Sequence, residues 1–385
     1  MTFPRSFPYK PVLFLFWLVV QAALWYFNGI NTGGESLRFI REASLLENGQ
    51  PFTSPAFYLY IGQILLITFV HANGFGYTLI IVFQMLLNCW ALNLFYQFMK
   101  RRHGSKKVAF FAGMLLVVCI PYQLYNTFLY TESIFFSLLL VFTMLLLSVK
   151  RWSPVKILMI VSLLVLLCFI RPTGLFVALA TILYLAFRLK NINWLLKIPV
   201  LLIGTAFFLY AIHMLLKTGG GINTLSPFIY EYIICDVPQT ENAKKLFLDE
   251  GSEGLNALAF YITHNPGHFA QLAVKKTIAF FGLYRPWYST SHNLLLMFYF
   301  FALYIMMVVA LFRRGITPSV IFTLCIIFIF WLFVIFSCDE WHNRFFLTFT
   351  PHLIICAMGI FGSKKLNEKT TGRMRTDRNQ SPPLI

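Results

Sequence analysis

Charged side chains stand at the edges of long apolar runs in this sequence, where burying a charge is costly. Glu35 follows the first run in TGGESLRFI, Glu132 opens a later run in YTESIFF, and Arg171 stands in IRPTG. Arg344 ends the polar turn CDEWHNR. A carboxylate can take the proton of an attacking hydroxyl group, and an arginine fork can hold an anionic leaving group. Together these residue types suit a group-transfer reaction that releases an anion.

Each of these residues also has a simpler structural interpretation, which the spacing leaves open. Thr32 and Glu35 fit a capping box, in which Glu35 bonds a backbone N–H group at a helix start. The positive N-terminus of a helix favours Glu132 in its first turn, and Arg171 can extend to lipid headgroups. Exposure of the turn CDEWHNR to water would by itself explain why its residues are polar. The catalytic interpretation therefore requires that the four sites lie on one face of the protein.

The composition is typical of an integral membrane protein. Of the 385 residues, 58% are hydrophobic and 12% are charged, and the mean hydropathy is +0.72. Soluble domains carry about 25% charged residues. Basic clusters at 100–107, 150–156, 188–191 and 313–314 lie between apolar runs, a distribution that marks cytoplasmic loops. The net charge of +17 comes largely from these clusters and from the basic tail after Ser363, so no nucleic-acid partner is expected.

The apolar runs predict an all-α polytopic membrane protein. Candidate spans lie at 11–28, 55–73, 76–98, 108–126, 132–149, 155–170, 173–189, 195–215, 291–312, 317–337 and 345–361. If all of them crossed, the basic clusters would face the wrong side. Run 55–73 is the best candidate for an interfacial or re-entrant helix on the outer face, because Tyr58, Gln63 and His71 make it wetter than its neighbours. We therefore predict about ten transmembrane helices, with both termini cytoplasmic.

This topology divides the chain into a membrane domain, 1–362, and a polar basic cytoplasmic tail, 363–385. Outer loops at 29–75, which carries interfacial helices, and 217–290 belong to the membrane domain. All acidic residues except Glu368 and Asp377 then fall on the non-cytoplasmic face. The chemistry available to carboxylates is therefore expected on that face.

The long outer loop offers weaker signals. Pro266 begins a helix after His264, so His264 and His268 would not share a face, and no metal site is assigned to them. Tyr284 and Arg285 belong either to an aromatic belt at the membrane surface or to a grip for a lipid phosphate. Whether Cys235 and Cys338 pair stays open. The sequence contains no nucleotide-binding motif, which favours a substrate dissolved in the bilayer.

Several of these stretches resemble the GT-C integral-membrane glycosyltransferases, specifically the bacterial relatives of protein O-mannosyltransferases and of the aminoarabinose transferase. Glu35, Phe39, Ala43 and Gly49 match the spacing of the family's first outer loop, with Glu35 in place of its usual Asp. Run 55–73 matches its surface helix, and Glu132 its second acid. NPGHFAQLAVKK, and Arg344-Phe345 through Pro351, match two later motifs.

The resemblance implies an inverting transfer of a sugar from a polyprenyl-phosphate donor to a lipid, glycan or protein acceptor. Glu35 would be the general base, and Glu132, the second catalytic residue, would support acceptor or donor binding. Arg171 and Arg344 would hold the departing phosphate, with His342, Tyr284 and Arg285 as further substrate-binding candidates. The expected location is the bacterial inner membrane, with the site facing the periplasm or exterior.

Two rival functions stay open at this stage. A polymerase or ligase of lipid-linked glycans would also act on the outer face, and a polytopic transporter or flippase would place charges near mid-span. No cofactor is assigned, and dependence on a divalent metal stays open.

Overall fold

The computed structural model describes residues 7–188, 225–239, 246–249 and 253–361, together with residue 251 and short stretches between 198 and 213. These residues form helices joined by turns, with two isolated β-bridges among them. The predicted all-α class is confirmed. Most of the predicted run 195–215, part of the outer loop 217–290 and the tail 363–385 lie outside the described residues.

The first half of the chain is a succession of helices with recognisable start and stop signals. They are α1 (Tyr9–Asn28), α2 (Glu35–Glu47), α3 (Ile61–Ala72), α4 (Thr78–His103), α5 (Lys106–Val118), α6 (Ile120–Leu124), α7 (Glu132–Ser148), α8 (Pro154–Ile170) and α9 (Gly174–Arg188). Short 3-10 turns precede α3 at Pro55–Tyr60 and follow α6 at Tyr125–Thr127. Ser105 and Ser153 cap α5 and α8 with their hydroxyl groups.

The described residues from 225 onward add seven helices. They are α10 (Ser226–Ile229), α11 (Gly254–His264), α12 (Pro266–Gly282), α13 (Thr290–Arg314), α14 (Pro318–Phe336), α15 (Arg344–Leu347) and α16 (Thr350–Ala357), followed by a 3-10 turn at Met358–Phe361. As the sequence predicts, Asn265 precedes α12 and Pro266 stands in its first turn.

Helix α7 lies at the centre of the bundle. Almost all of its side chains are buried, from Glu132 in its first turn to Leu146 near its end, and it packs against α4 and α8. A helix that is apolar on every side is expected in a core or a membrane. The surroundings of α7 therefore fix the position of Glu132 from several directions.

Contacts between helix ends define two ends of the described bundle. At the end that we call acidic, Glu132 at the start of α7 meets Arg171 after α8 and Arg344 at the start of α15. At the opposite, basic end, Arg102 in α4 donates to the Ser319 hydroxyl in α14 over 2.6 Å. Arg188 at the end of α9 donates to the backbone carbonyl of Val149, beside the end of α7.

Five described helices are long and apolar enough to cross a membrane. They are Tyr9–Asn28, Pro55–Ala72, Thr78–His103, Thr290–Arg314 and Pro318–Phe336. A sixth results if the pair Lys106–Val118 and Ile120–Thr127, bent by 67°, counts as one broken span. Helices α7, α8, α9 and the segment Thr350–Phe361 are apolar but shorter. The structure is consistent with a membrane protein.

The segment predicted not to cross starts at the acidic end. Near the start of α3, the Gln63 amide donates to the Leu129 carbonyl over 3.2 Å. Five residues then join α3 to α4, in whose second turn the Gln84 amide approaches the Tyr130 carbonyl at 3.4 Å. Both α3 and α4 therefore begin near the acidic end, although Pro55–Ala72 also satisfies the length and composition of a span.

Candidate functional site

The loop after α1 places Glu35 through backbone pairing and a glycine. Asn31 and the segment Thr127–Leu129 exchange two backbone hydrogen bonds, of 2.9 and 3.2 Å. Gly34 precedes α2 with φ 58°, and a Cβ atom there would clash with the Tyr130 hydroxyl. Because only glycine adopts this conformation freely, Gly34 lets the chain turn against Tyr130. No side chain caps α2, so the capping-box interpretation of Thr32 and Glu35 is wrong.

The Glu35 carboxylate instead reaches Arg344 at the far end of the sequence. Arg344 Nη1 donates to Glu35 Oε2 over 2.6 Å, and Nη2 donates to Oε1 over 3.0 Å. This is a two-bond fork between a planar guanidinium and a carboxylate. Asn343, at φ 56°, turns the chain immediately before Arg344. The loop between α1 and α2 and the turn 338–344 are thereby joined.

Two further carboxylates share the same guanidinium. Glu132 Oε1 accepts a hydrogen bond from Arg344 Nη1 over 3.0 Å, and Glu340 Oε2 accepts one from Nη2 over 2.5 Å. Arg171 Nη1 lies 2.9 Å from the same Glu132 oxygen. We call these five residues, Glu35, Glu132, Arg171, Glu340 and Arg344, the charged cluster. All four sites identified in the sequence meet in it.

The charged cluster is largely shielded from solvent, and Glu35 is its most accessible member. The Glu35 side chain is 33% exposed, compared with 7% for both arginines and 0% for Glu132. Burial raises the pKa of Glu35, but the charges and hydrogen bonds of Arg344 outweigh it and hold that pKa below its ordinary value. Burial lowers the pKa of Arg344, but Glu132, Glu340 and Glu35 raise it well above normal. Both groups are therefore ionised at neutral pH.

An aromatic ring lies beside each arginine of the charged cluster. The Arg344 guanidinium lies 5.8 Å from the ring centre of Tyr130, and Arg171 lies 5.8 Å from that of Phe345. The Tyr130 hydroxyl also accepts a hydrogen bond from the Glu35 backbone N–H over 3.3 Å. These rings exclude water beside the arginines and so strengthen the ion pairs.

A large apolar cavity reaches the turn 338–344 at His342, two positions before Arg344. It has a volume of about 810 Å³ and lies between the bent pair α5–α6 and α13. Tyr125, Tyr288 and His342 are among its lining residues, and the Tyr288 hydroxyl lies 3.1 Å from His342 Nδ1. Burial, Arg344 and Arg285 lower the pKa of His342. His342, a predicted substrate-binding residue, therefore lies uncharged where the cavity approaches Arg344.

The remaining two predicted substrate-binding residues lie outside the charged cluster. Arg285 is fully buried, with Nη2 bonded to Asp339 Oδ2 over 2.5 Å and to the Glu340 carbonyl over 3.0 Å. Burial raises the pKa of Asp339, and Arg285 opposes that shift. Arg285 thus supports the turn that carries Glu340. Tyr284 is 57% exposed and no polar contact links it to the cluster among the described residues.

A disulfide bond also holds the turn 338–344, at its first residue. Cys235 and Cys338, which the sequence left unassigned, are bonded with their Cα atoms 5.1 Å apart. Beside the bond, the Cys235 backbone N–H donates to the Asp339 carbonyl, and the Asp339 N–H donates to the Ile233 carbonyl. The described segment around Cys235 is therefore anchored to the turn leading to Arg344.

The described residues contain no group of three or more His, Cys, Asp or Glu side chains arranged for a metal ion. His268 contacts the Tyr261 hydroxyl at 2.6 Å and Glu231 at 3.2 Å, whereas His264 stacks on Phe260. The two histidines do not meet, as the position of Pro266 predicts.

Sequence reasoning did not assign Glu340, Tyr130 or Tyr288 to the site. Glu340 stands four positions before Arg344 in a run of polar residues, which is a usable signal for an ion pair. Tyr130 and Tyr288 carried no comparable signal, because aromatic residues at membrane boundaries are common.

Comparison of the chain with protein-family models, curated proteins and solved structures finds no match. The function of the protein is therefore inferred from the geometry of the charged cluster and of the apolar cavity.

Proposed function

We propose that this protein is a membrane glycosyltransferase that moves a sugar from a polyprenyl-phosphate donor to an acceptor hydroxyl group, with inversion at the sugar carbon. The observation that carries the proposal is the meeting of Glu35, Glu132, Arg171 and Arg344 beside an apolar cavity of about 810 Å³. A donor with an anionic phosphate and a long apolar chain needs both environments side by side.

In the proposed reaction, Glu35 is the general base. The acceptor oxygen attacks the anomeric carbon of the sugar while the Glu35 carboxylate takes the hydroxyl proton. The bond between that carbon and the phosphate oxygen breaks, and its electron pair leaves with the polyprenyl phosphate. Arg344 and Arg171 stabilise the negative charge that develops on the leaving phosphate. Glu35 suits the first role because it is the most exposed carboxylate of the buried network.

The donor phosphate would also prepare the base. In the structure Arg344 is occupied by Glu35, Glu132 and Glu340. A phosphate that took over the Arg344 fork would remove the main influence lowering the pKa of Glu35 and leave burial, which raises it. Glu35 would then accept a proton more readily while the donor is bound.

The proposed topology has about ten spans, cytoplasmic termini and the acidic end outside the cytoplasm. The separation of the charged cluster from Arg102 and Arg188 at the basic end supports this orientation. The Cys235–Cys338 bond also supports it, because disulfides persist in oxidising compartments such as the periplasm. A bacterial inner membrane with the site facing the periplasm fits both observations.

The test is a turnover assay with purified, reconstituted protein. Labelled polyprenyl-phosphate sugars are supplied with candidate acceptors, and the released polyprenyl phosphate and the glycosylated product are both measured. We expect release that depends on the acceptor, and a loss of about 100-fold or more in Glu35→Gln. Glu35→Asp should retain more activity than Glu35→Gln because it keeps a carboxylate.

Three results would overturn the proposal. Full activity in both Glu35→Gln and Glu35→Ala would show that Glu35 is not the general base. Turnover only with diphosphate-linked glycans would assign the site to a polymerase or ligase, and movement of the lipid without bond cleavage would assign it to a transporter. Glu47→Gln is the matched control, since Glu47 ends the same helix and pairs with His71, 2.6 Å away.

A further inference from the structure

A second cavity lies at the basic end of the bundle, outside the proposed catalytic site. It has a volume of about 620 Å³, within the roughly 300–1,000 Å³ typical of ligand pockets. Its floor is α7, and its walls are α4 and α8, which both pack on α7. We call this cavity the basic-end groove.

The groove is a furrow on the outside of the bundle. On its α4 wall, Trp90, Leu94, Gln97 and Arg101 recur at helical spacing and so share one face. The floor is buried at Val141 and Met144, whereas Trp90 is 48% exposed. The groove is thus open along the surface that faces the bilayer in the proposed topology.

Polar groups are concentrated where the groove reaches the basic end. Arg101 and Ser148 stand near the ends of α4 and α7, and Arg101 Nη2 donates to Gln97 Oε1 over 3.2 Å. That bond lays the guanidinium along the groove wall. Eleven positions earlier, Trp90 lies about 16 Å deeper along α4. An apolar groove of this length, with a cation at one end, is complementary to a lipid with an apolar chain and an anionic headgroup.

We propose that the basic-end groove binds an anionic phospholipid, with one acyl chain along α7 and the phosphate at Arg101. Arg101, which lines the groove and belongs to the basic stretch 100–107, gives its basic end a charge complementary to that phosphate. Basic pockets between membrane helices on the cytoplasmic side are suited to anionic headgroups. The site is independent of the charged cluster, which lies at the other end of the bundle.

The experiment measures lipid binding to the delipidated full-length protein in detergent by native mass spectrometry. The probes are phosphatidylglycerol, phosphatidylcholine with the same acyl chains, and glycerol phosphate without chains. We expect phosphatidylglycerol to bind about five-fold more tightly than phosphatidylcholine, the ratio expected from one arginine near a headgroup. Glycerol phosphate should bind negligibly.

Two variants distinguish the binding of the lipid's acyl chain from the binding of its headgroup. Ser162→Trp fills the groove and should abolish binding of both lipids, whereas Val161→Trp, its exposed neighbour outside the groove, should leave binding unchanged. Arg101→Gln should remove the preference for phosphatidylglycerol, and Lys100→Gln, exposed beside it, should keep it.

Wild-type binding of phosphatidylglycerol in Ser162→Trp would overturn the proposal, as would a preference that survives Arg101→Gln. Tight binding of glycerol phosphate would show a simple anion site instead of a lipid site. A change in oligomeric state in Ser162→Trp without a change in lipid binding would identify the groove as a contact between copies of the chain.

Discussion

Arg344 and Glu35 stand 309 positions apart in the chain and meet through two hydrogen bonds of 2.6 and 3.0 Å. The same guanidinium also holds Glu132, in the central helix α7, and Glu340. One side chain therefore joins the start of α2, the first turn of the central helix and the turn 338–344. The acidic end is complete only when all three have packed together.

Arg344→Ala is expected to destabilise the folded protein by about 3–5 kcal/mol, because removing one partner leaves buried carboxylates uncompensated. Arg344→Lys keeps the charge but loses the fork, so it should recover part of that loss. Thermal and denaturant unfolding in detergent would measure both. Arg38→Ala, an exposed arginine in α2, is the control and should change stability by no more than about 0.5 kcal/mol. Equal stability of Arg344→Ala and the wild type would contradict the role given to the ion-pair network.

The sequence predicted the meeting of Glu35, Glu132, Arg171 and Arg344 because each stands at the end of an apolar run. Each crossing takes the chain to the opposite side of the membrane. The number of predicted crossings between these residues is therefore enough to place all four on one side. The all-α class follows from the same runs. The sequence placed Glu35 at a helix start, and α2 begins there. The cap residue Gly34 was not predicted, because Thr32 offered an equally good local cap and only the contact of Gly34 with Tyr130 decides between them.

The roles of Arg285 and Tyr284 could not be separated from sequence. The two residues are adjacent, yet one is fully buried against Asp339 and the other is 57% exposed. That difference arises from the packing of the turn 338–344 against the end of α12, a contact between segments far apart in the chain. The Cys235–Cys338 bond escaped assignment for the same reason, since spacing alone cannot establish proximity.

Thiol counting should show the disulfide directly. The chain has seven cysteines, of which Cys89, Cys119, Cys168, Cys325 and Cys356 are free in the structure. Protein extracted from its native membrane, denatured without reductant and treated with a maleimide mass tag should therefore take up five tags. After reduction it should take up seven. Seven tags without reductant would refute both the bond and the oxidising location proposed for the acidic end.

We expect Lys276 to make the free energy of unfolding of the protein rise with pH. It is fully buried, and its ammonium group donates to the carbonyls of Ile335 and Ser337 at the end of α14. Burial lowers its pKa from the ordinary 10.5 to about 7. Between these two values the unfolded chain binds more protons than the folded one, so stability should increase with pH by at most about 1.4 kcal/mol per unit.

Thermal unfolding in detergent from pH 7 to pH 10 would measure this rise against that of Lys276→Met. The variant has no ammonium group that can lose a proton. Its stability should therefore rise less steeply with pH, by the contribution of one proton. Lys275→Met is the control, because Lys275 is 42% exposed and pairs with Glu231 at 3.5 Å. Parallel profiles for the wild type and Lys276→Met would show that Lys276 does not discharge in this range.

The apolar cavity beside the charged cluster should determine how the donor lipid binds. Ala302 lines the cavity from α13, and Ala302→Trp would occupy part of the space expected for the lipid chain. We expect a raised KM for long-chain polyprenyl-phosphate sugars, with a smaller effect on short-chain donors that leave the cavity partly empty. Because Glu35 and Arg344 are untouched, kcat at saturating donor should change little.

Ile305→Trp provides the comparison, since Ile305 lies on the same helix, is 64% exposed and does not line the cavity. Its KM for long and short donors should equal that of the wild type. If Ala302→Trp changed the KM for both donor lengths equally, the cavity would not hold the lipid chain. If it lowered kcat alone, the tryptophan would be disturbing the charged cluster through Tyr288 and His342, which line the cavity and contact each other.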